Sequence, residues 1–226
     1  MGGLHQREAG IQGHEKDQGQ QECEAGMSGW DKLSEIRWHY NLAWLIKKAS
    51  IPIRTFCECG VGPLDIASSP LIHDHRLAER LVLVEPNPDL YRMARERMPR
   101  ADIFNVGVSD CEGEISLVLN GGSSYIQGKW APTPHDGKTA TIKTIPFDGI
   151  DDGRIDCLVL DCEGQEWEVL KKMRSRPLIL SVEIWKTHPH RGEILSWLQA
   201  WGYEPIFTTG PEGETLVLVS QSLRLT

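Results

Sequence analysis

The chain has 226 residues, with 24 Lys and Arg against 32 Asp and Glu, which gives a formal net charge of −8. This length suits one globular domain with an appended segment, and the acidic balance makes nucleic acid an unlikely partner because no basic excess is available to neutralise phosphates. The longest apolar runs are strand-sized and far below the ~20 residues of a membrane-spanning helix, so we expect no membrane association.

The first 28 residues lack Phe, Trp and Tyr and are rich in Gly, Gln and Glu, which predicts a disordered tail over 1–28 and a folded domain over 29–226. Met27 is a candidate natural start. The N-terminus lacks the apolar core of a secretory signal, so we expect a cytoplasmic protein whose six cysteines are reduced thiols. The cysteine spacing is not that of a zinc site, and we expect no bound metal.

After this tail, segments with helical spacing of apolar residues alternate with short apolar runs that are typical of buried strands. The predicted helices span Asp31–Ala49, a stretch from the turn after Cys59 to about Leu71, Pro88–Pro99 with Asn87 as its cap, Gly164–Met173 and His190–Trp201. The predicted strands span Arg54–Cys59, Leu81–Glu85, Asp102–Val108, Ile115–Leu119, Thr139–Ile145, Asp156–Asp161, Leu178–Ile184, Glu204–Thr208 and Thr215–Ser220, the last two as an antiparallel hairpin. Strands separated by helices indicate the α/β class, with a doubly wound, mainly parallel sheet and helices on both faces.

A glycine-containing turn, Glu58–Gly62, follows the first predicted strand. Glycines at this place let the backbone turn sharply and approach a ligand, although such a pair is often only a turn. Asp65 stands where a dinucleotide-binding turn has its third glycine, and Glu58 adds negative charge where a pyrophosphate would bind. The pattern favours a ligand that contains a nucleoside and no phosphates.

Acids also stand at the ends of three later strands. Glu85 is placed to accept hydrogen bonds from ribose hydroxyls, or is an exposed strand-end acid. Asp161 and Glu163 follow a buried strand, where they either cap the next helix or face a bound cation or a reacting hydroxyl. Glu183 lies in an apolar strand, where its charge is costly unless it is paired or faces a cleft. His188 is either a surface residue or a catalytic base.

Together these segments resemble the FkbM-type S-adenosylmethionine-dependent methyltransferases, a family with a class I, Rossmann-like fold. The matching blocks lie in order within residues 56–185 and read ECGVG, VEPNPDL, NVGVSDCEGEISL, GGSS, KTIPFDGI, IDCLVLDCEGQEWEVLKKM and LSVEIW. The EPNP and D-x-EG-x-E blocks are the distinctive ones, whereas Gly-x-Gly is shared with many folds.

The resemblance implies S-adenosylmethionine as cofactor and a set of residues that bind it. These are Glu58, Gly60 and Gly62 at the methionine and ribose, Glu85, Pro86 and Asn87 at the ribose hydroxyls, Val108, Ser109 and Asp110 at the adenine, and Asp161 near the sulfonium. Asp161 is also the expected catalytic residue, with His188 as the alternative base. We assign Ser124, Glu163 and Glu183 to the acceptor side; a divalent cation held by the three acids at 161, 163 and 183 is the alternative.

We therefore expect in-line methyl transfer to the oxygen of a small hydroxylated acceptor, such as a sugar or a polyketide-like metabolite. An NAD-dependent oxidoreductase is the alternative enzyme class, weakened by Asp65 and by the lack of a recognisable Ser/Tyr/Lys catalytic set. A non-catalytic nucleoside-binding module on the same fold is the alternative outside catalysis. The sequence leaves the oligomeric state open.

Overall fold

The computed structural model describes residues 38–48, 50–129, 137–209 and 215–223, and all of them lie in one compact unit, Ile36–Thr226. The predicted tail over 1–28 and its boundary with the folded domain lie outside the described residues. None of the described helices is long and apolar enough to cross a membrane. Within the described ranges, five cysteines carry free thiols.

Eleven strands are present in the described residues, and they form two sheets. In chain order they are β1 (Ile53–Cys59), β2 (Ala78–Val84), β3 (Asp102–Phe104), β4 (Gly107–Val108), β5 (Gly113–Leu119), β6 (Tyr125–Ile126), β7 (Lys138–Ile145), β8 (Cys157–Leu160), β9 (Ile179–Glu183), β10 (Tyr203–Thr209) and β11 (Thr215–Ser220). The main sheet has the spatial order β10-β11-β9-β8-β1-β2-β3, and the smaller one has the order β4-β7-β5-β6. In the main sheet β11 runs antiparallel to the other six strands, which all run in one direction. The predicted doubly wound, mainly parallel sheet with a C-terminal antiparallel hairpin is confirmed.

Helices cover both faces of the main sheet. They are α1 (Trp38–Lys48), α2 (Ser69–Asp74), α3 (Pro88–Arg97), α4 (Glu166–Lys172) and α5 (Arg191–Ala200). Cys57 and Cys59 of β1 join a buried cluster with Leu170 of α4 and Leu198 of α5. Glu58 lies between these cysteines and contacts the start of α2. Because successive strand residues point to opposite faces, α2 packs on the face away from α4 and α5.

The predicted strand Asp102–Val108 is wrong as a single element. It divides into β3, which pairs with β2, and β4, which pairs with β7 of the smaller sheet. The side chain of Asn105 lies at the break and donates to the carbonyls of Glu85 at 2.8 Å and Pro86 at 3.1 Å. Since β2 has ended at this level, the chain leaves the main sheet and crosses to the smaller one.

The predicted helix from the glycine turn to Leu71 is also wrong in its bounds, because α2 begins only at Ser69 and ends at Asp74. Gly60 and Gly62 both have a positive φ, at 81° and 61°, so the chain cannot enter a helix directly from β1. Pro70 in the first turn is compatible with the later start, because Pro is tolerated where backbone N–H groups have no partner in the helix.

Candidate functional site

The strand order of the main sheet reverses between β1 and β8, since β2 and β3 follow on one side and β9 on the other. In open α/β sheets, ligands bind at such a switch point, outside the carboxyl ends of the strands. A cleft lies at this place. Its lining comes from the ends of β1, β2 and β8 and from the smaller sheet.

The turn after β1 forms the floor of the cleft through close backbone contact. The Gly60 N–H donates to the Val84 carbonyl at 2.9 Å, which ties the turn to the end of β2. A Cβ on Gly60 would lie 1.7 Å from the carbonyl oxygen of Asp161, so only glycine fits between β1 and β8. A Cβ on Gly122 would likewise lie 2.5 Å from Cδ of Pro63, which shows how closely the Gly121-Gly122 loop covers the turn.

Glu85 lies at the end of β2, where it is buried and lines the cleft. This position contradicts the alternative of an exposed strand-end acid, and binding of ribose hydroxyls stays a prediction. The two carboxylate oxygens of Glu85 accept the Gly62 N–H at 2.8 Å and the Asn87 N–H at 2.7 Å. Burial raises the pKa of Glu85, and these backbone hydrogen bonds oppose that rise. A carboxylate has about four lone-pair sites, so Glu85 retains acceptor capacity for a ligand hydroxyl.

Glu58 does not reach the cleft, contrary to the expectation that it lines the cofactor. Its carboxylate accepts the backbone N–H groups of Ser68 and Ser69, both at 2.9 Å, and so caps the start of α2. Burial raises its pKa to about 7 against these hydrogen bonds. The alternation of side chains along β1 explains the outcome, because Cys59 faces the cleft and its predecessor must face the other side.

The smaller sheet supplies an apolar wall that the sequence analysis did not anticipate. Together with the segment that leads to it, this sheet contributes Val106, Val108, Leu117, Ile126 and Ile142 to the cleft. Val108 was expected there. Its predicted companions Ser109 and Asp110 lie outside the lining, and Asp110 is exposed. Alternating apolar residues in the predicted strands at 115–119 and 139–145 indicated that one face of these strands would be covered. The sequence did not show that this face would line the cleft.

Asp161, Glu163 and Glu183 meet at the β8 and β9 end of the site, each with a carboxylate oxygen within 4.8 Å of the others. Burial first, then neighbouring carboxylates, raise the pKa of Asp161 to about 7 and that of Glu163 to about 8. Burial and the contact with Asp161 raise the pKa of Glu183 to about 10. At neutral pH Glu183 therefore holds its proton and donates a hydrogen bond to Asp161. Such an oxygen set is also of the type that binds divalent cations, and our expectation of no metal stays a prediction.

Ser124 lines the cleft from the loop above the glycine turn. Its hydroxyl donates to the Gly121 carbonyl at 2.7 Å and accepts hydrogen bonds from the Asn120 backbone at 3.1 Å and the Asn87 side chain at 3.2 Å. Asn87 also caps α3, where its side chain accepts the Asp89 N–H at 3.0 Å. Pro86 completes this side of the lining. The serine thus connects the loop to the start of α3 as well as facing the cleft.

His188 lies outside the cleft lining, and its side chain is only 1% exposed. Its Nε2 is 3.0 Å from Oε2 of Glu166, and its Nδ1 accepts the His190 N–H at 3.1 Å. With both ring nitrogens engaged inside the protein, the geometry does not support His188 as the base. Glu166 was missed as a site-forming residue, although it belongs to the D-x-EG-x-E block.

An α/β sheet with a cleft at its switch point is the architecture of many nucleoside- and nucleotide-binding proteins. Comparison with known families makes this more specific. Residues 67–205 match the model of the methyltransferase FkbM domain, which covers more than half of the chain. The chain therefore belongs to the FkbM methyltransferase family, and the resemblance seen in the sequence is confirmed.

Solved structures of methyltransferases are similar in architecture at low sequence identity. An amino pentose methyltransferase from Micromonospora echinaspora has 11% identity and a TM-score of 0.47, with 93% of this chain and 100% of that chain covered. A sugar N-methyltransferase from Streptoalloteichus sp. has 11% identity and a TM-score of 0.46, with 97% and 99% covered. No curated protein gave a significant match. The family assignment rests on the match over 67–205 and not on these structures.

Proposed function

We propose that this protein is an S-adenosylmethionine-dependent methyltransferase that methylates an oxygen of a small hydroxylated acceptor, such as a sugar or a polyketide-like metabolite. The observation that carries the proposal is that the Gly60 turn, Glu85 and Asp161 converge on one cleft. Membership of the FkbM family supports the class of reaction. The predicted cytoplasmic location stays a prediction.

The residues of the cleft fit the three parts of this cofactor. The carboxylate of Glu85 retains acceptor capacity for ribose hydroxyls after binding two backbone N–H groups. The apolar wall from the smaller sheet, which includes Val108 and Ile142, suits an adenine ring. Asp161 and Glu163 place carboxyl groups where the positively charged sulfonium would lie.

The same cleft is poorly suited to a dinucleotide such as NAD. In dinucleotide-binding folds, the pyrophosphate takes the free N–H groups at the start of the helix after β1. Here the carboxylate of Glu58 already binds the N–H groups of Ser68 and Ser69 at the start of α2. No Lys or Arg lines the described part of the cleft, so the phosphate charges would have no partner. This arrangement favours a nucleoside without phosphates.

When bound, the cofactor supplies an electrophilic methyl group on sulfur, and the protein aligns the acceptor with it. We assign to Asp161 the role of accepting the proton of the acceptor hydroxyl. Its pKa of about 7 suits a base at neutral pH, because such a group is ionised in part and still binds a proton well. Glu183 keeps its own proton and holds the Asp161 carboxylate in place by donating to it.

The charge of the cleft also limits the acceptor. Its acids, Glu85, Asp161 and Glu163, stand without a lining Lys or Arg among the described residues. An anionic acceptor, such as a phosphorylated sugar or a nucleic acid, would find no cationic partner there and would meet the ionised fraction of Asp161. We therefore expect a neutral or positively charged small molecule.

Calorimetric titration of the full chain with S-adenosylhomocysteine, with NAD in a parallel cell, tests the cofactor. Micromolar binding of S-adenosylhomocysteine alone supports the proposal. Binding of NAD alone overturns it, and so does the absence of binding to either compound by a folded sample. A screen of neutral and amino sugars and of hydroxylated polyketides, with mass detection of a 14-Da gain, then tests the acceptor class. Phosphorylated sugars serve as the matched negative set in that screen.

A further inference from the structure

A buried pair of side chains, Glu166 and His188, lies behind the cleft without lining it. Their side chains are 2% and 1% exposed, and His188 Nε2 is 3.0 Å from Glu166 Oε2. Burying two ionisable groups is unfavourable unless each finds its full set of hydrogen-bond partners. The position of those partners indicates what the pair does.

Glu166 binds the segment that carries the acids of the cleft. Its Oε1 accepts the N–H groups of Cys162 at 2.8 Å and Gly164 at 3.3 Å. The residue between them, Glu163, has a φ of +48°, a left-handed conformation that a non-glycine residue adopts only when its surroundings impose it. One carboxylate oxygen thus holds the backbone on both sides of the strained residue, whose side chain lines the cleft.

His188 fixes Glu166 in turn. Its Nδ1 accepts the His190 N–H at 3.1 Å, so the ring proton is on Nε2 and is donated to Glu166. His188 itself sits in a turn just after β9, where its N–H donates to the Trp185 carbonyl at 2.9 Å. The pair therefore connects two segments. One follows β8 and carries Asp161 and Glu163, and the other follows β9, whose last residue is Glu183.

We propose that Glu166 and His188 are positioning residues that hold the backbone of 161–164 in its left-handed turn and so aim Asp161 and Glu163 into the cleft. This inference rests on the proposed function for its consequence, which is correct placement of the acids beside cofactor and acceptor. Neither residue touches a ligand in this arrangement. Their effect passes through the Cys162 and Gly164 amides.

Three variants separate this role from general support of the fold. His188→Ala removes the donor to Glu166, whereas His188→Gln keeps an N–H at the position of Nε2. Ser175→Ala is the matched control, because Ser175 donates to a buried carboxylate, Asp151, at the opposite, amino end of β8 and β9. Thermal unfolding of each variant shows that it is folded at the temperature of the assay.

The first measurement is NMR-detected hydrogen exchange of the full chain without ligand. In His188→Ala we expect the Cys162 and Gly164 amides to exchange at least about tenfold faster, while the amides of β9 keep their rates. In His188→Gln we expect the exchange rates of the same two amides to change by less than about threefold. Ser175→Ala should leave both amides unchanged. Unchanged exchange at these amides in His188→Ala, or an equal acceleration over the whole core, overturns the proposal.

The second measurement is the affinity of the same variants for S-adenosylhomocysteine. We expect the dissociation constant of His188→Ala to rise by about tenfold and that of His188→Gln to stay within about threefold of the wild type. Equal affinities in His188→Ala and wild type contradict the positioning role. If the wild type itself does not bind, the proposed function fails, while the exchange pattern still decides whether the pair positions the turn.

Discussion

At the residue scale, the buried carboxyl groups of this protein differ in what their oxygens already bind. The carboxylates of Glu58 and Glu166 accept hydrogen bonds from backbone N–H groups and so stabilise the local backbone. Glu85 is occupied only in part and faces the cleft. Asp161 and Glu183 contact each other, and burial raises the pKa of Asp161 to about 7 while Glu183 keeps its proton at neutral pH. Residues of one chemical type thus act as cap and clamp within the fold, and others are the ligand and base of the proposed function.

Glu85→Ala should weaken binding of S-adenosylhomocysteine by about 1–3 kcal/mol, because it removes the acceptors of two ribose hydrogen bonds. Glu85→Gln retains one acceptor oxygen and should lose less. Titration calorimetry measures both. Glu79→Ala, an exposed acid at the other end of the same strand, is the control that should bind as the wild type does. Unchanged affinity in Glu85→Ala would remove this residue from the site.

Asp161→Asn should lower turnover by about 10²-fold or more while changing cofactor affinity by less than about threefold, since the amide keeps the shape but cannot accept a proton. In the wild type, the rate should rise with pH through about 7, because a base acts in its ionised form and the pKa of Asp161 is raised to about 7. This rise should be absent from the variant. Both statements are tested by steady-state rates from about pH 5.5 to 8.5 with the acceptor found in the screen. Equal losses in turnover and cofactor affinity would reassign Asp161 to cofactor binding.

At the element scale, the turn between β1 and α2 is the feature on which the cleft depends. It is tied to β2 by the Gly60 N–H, to β8 by backbone contact with Asp161, and to the Gly121-Gly122 loop through Pro63. Two of these contacts leave no room for a Cβ, that of Gly60 with Asp161 and that of Gly122 with Pro63. The turn therefore sets the distance between the switch-point strands and the loop above them.

Gly60→Ala should destabilise the fold by at least about 2 kcal/mol, because a methyl group would combine an unfavourable positive φ with a clash against the Asp161 carbonyl. Gly153→Ala separates the two causes, since Gly153 has a similar φ of +84° with nothing within 4 Å of an added Cβ. Urea unfolding of both variants measures the difference. If the two substitutions destabilise equally, the packing of Gly60 against β8 is not as close as described here.

At the scale of the whole molecule, the buried acids tie stability to pH. The pKa of Glu183 is raised from 4.5 to about 10 by burial first and by Asp161 next. A raised pKa in the folded state means that folding holds a proton that the unfolded chain releases. The stabilisation from this group is therefore complete below about pH 4.5 and is lost progressively as the pH rises to about 10.

Glu183→Gln, which resembles the protonated acid, should flatten this dependence. We expect the variant to gain stability relative to the wild type as the pH rises from 6 to 9, by at most roughly 1.4 kcal/mol per pH unit. Urea unfolding at a series of pH values measures it. Lys171→Gln, at an exposed ion pair with Glu168, is a control that should not change the slope. Parallel curves for Glu183→Gln and the wild type would contradict the raised pKa.

The strands and helices of the main sheet could be predicted because their apolar spacing depends on local geometry alone. The break at Asn105 and the late start of α2 could not, because hydrogen bonds from distant residues set both. The smaller sheet was predicted as strands but not as a wall of the cleft. Its role depends on pairing between β4 and β7, which are far apart in the chain.

The sequence by itself determined the fold class, the family and the strand ends at which the acids stand, because periodicity, glycine turns and the EPNP and D-x-EG-x-E blocks are local patterns. Only the tertiary structure decided which acids face the cleft. Glu85 and Asp161 line the cleft, whereas Glu58 accepts the Ser68 N–H away from it. The candidate base His188 likewise lies outside the cleft, where it contacts Glu166. The physical reason is that a carboxyl group's role follows from its burial and its partners, and those come from segments that meet only when the sheet is assembled.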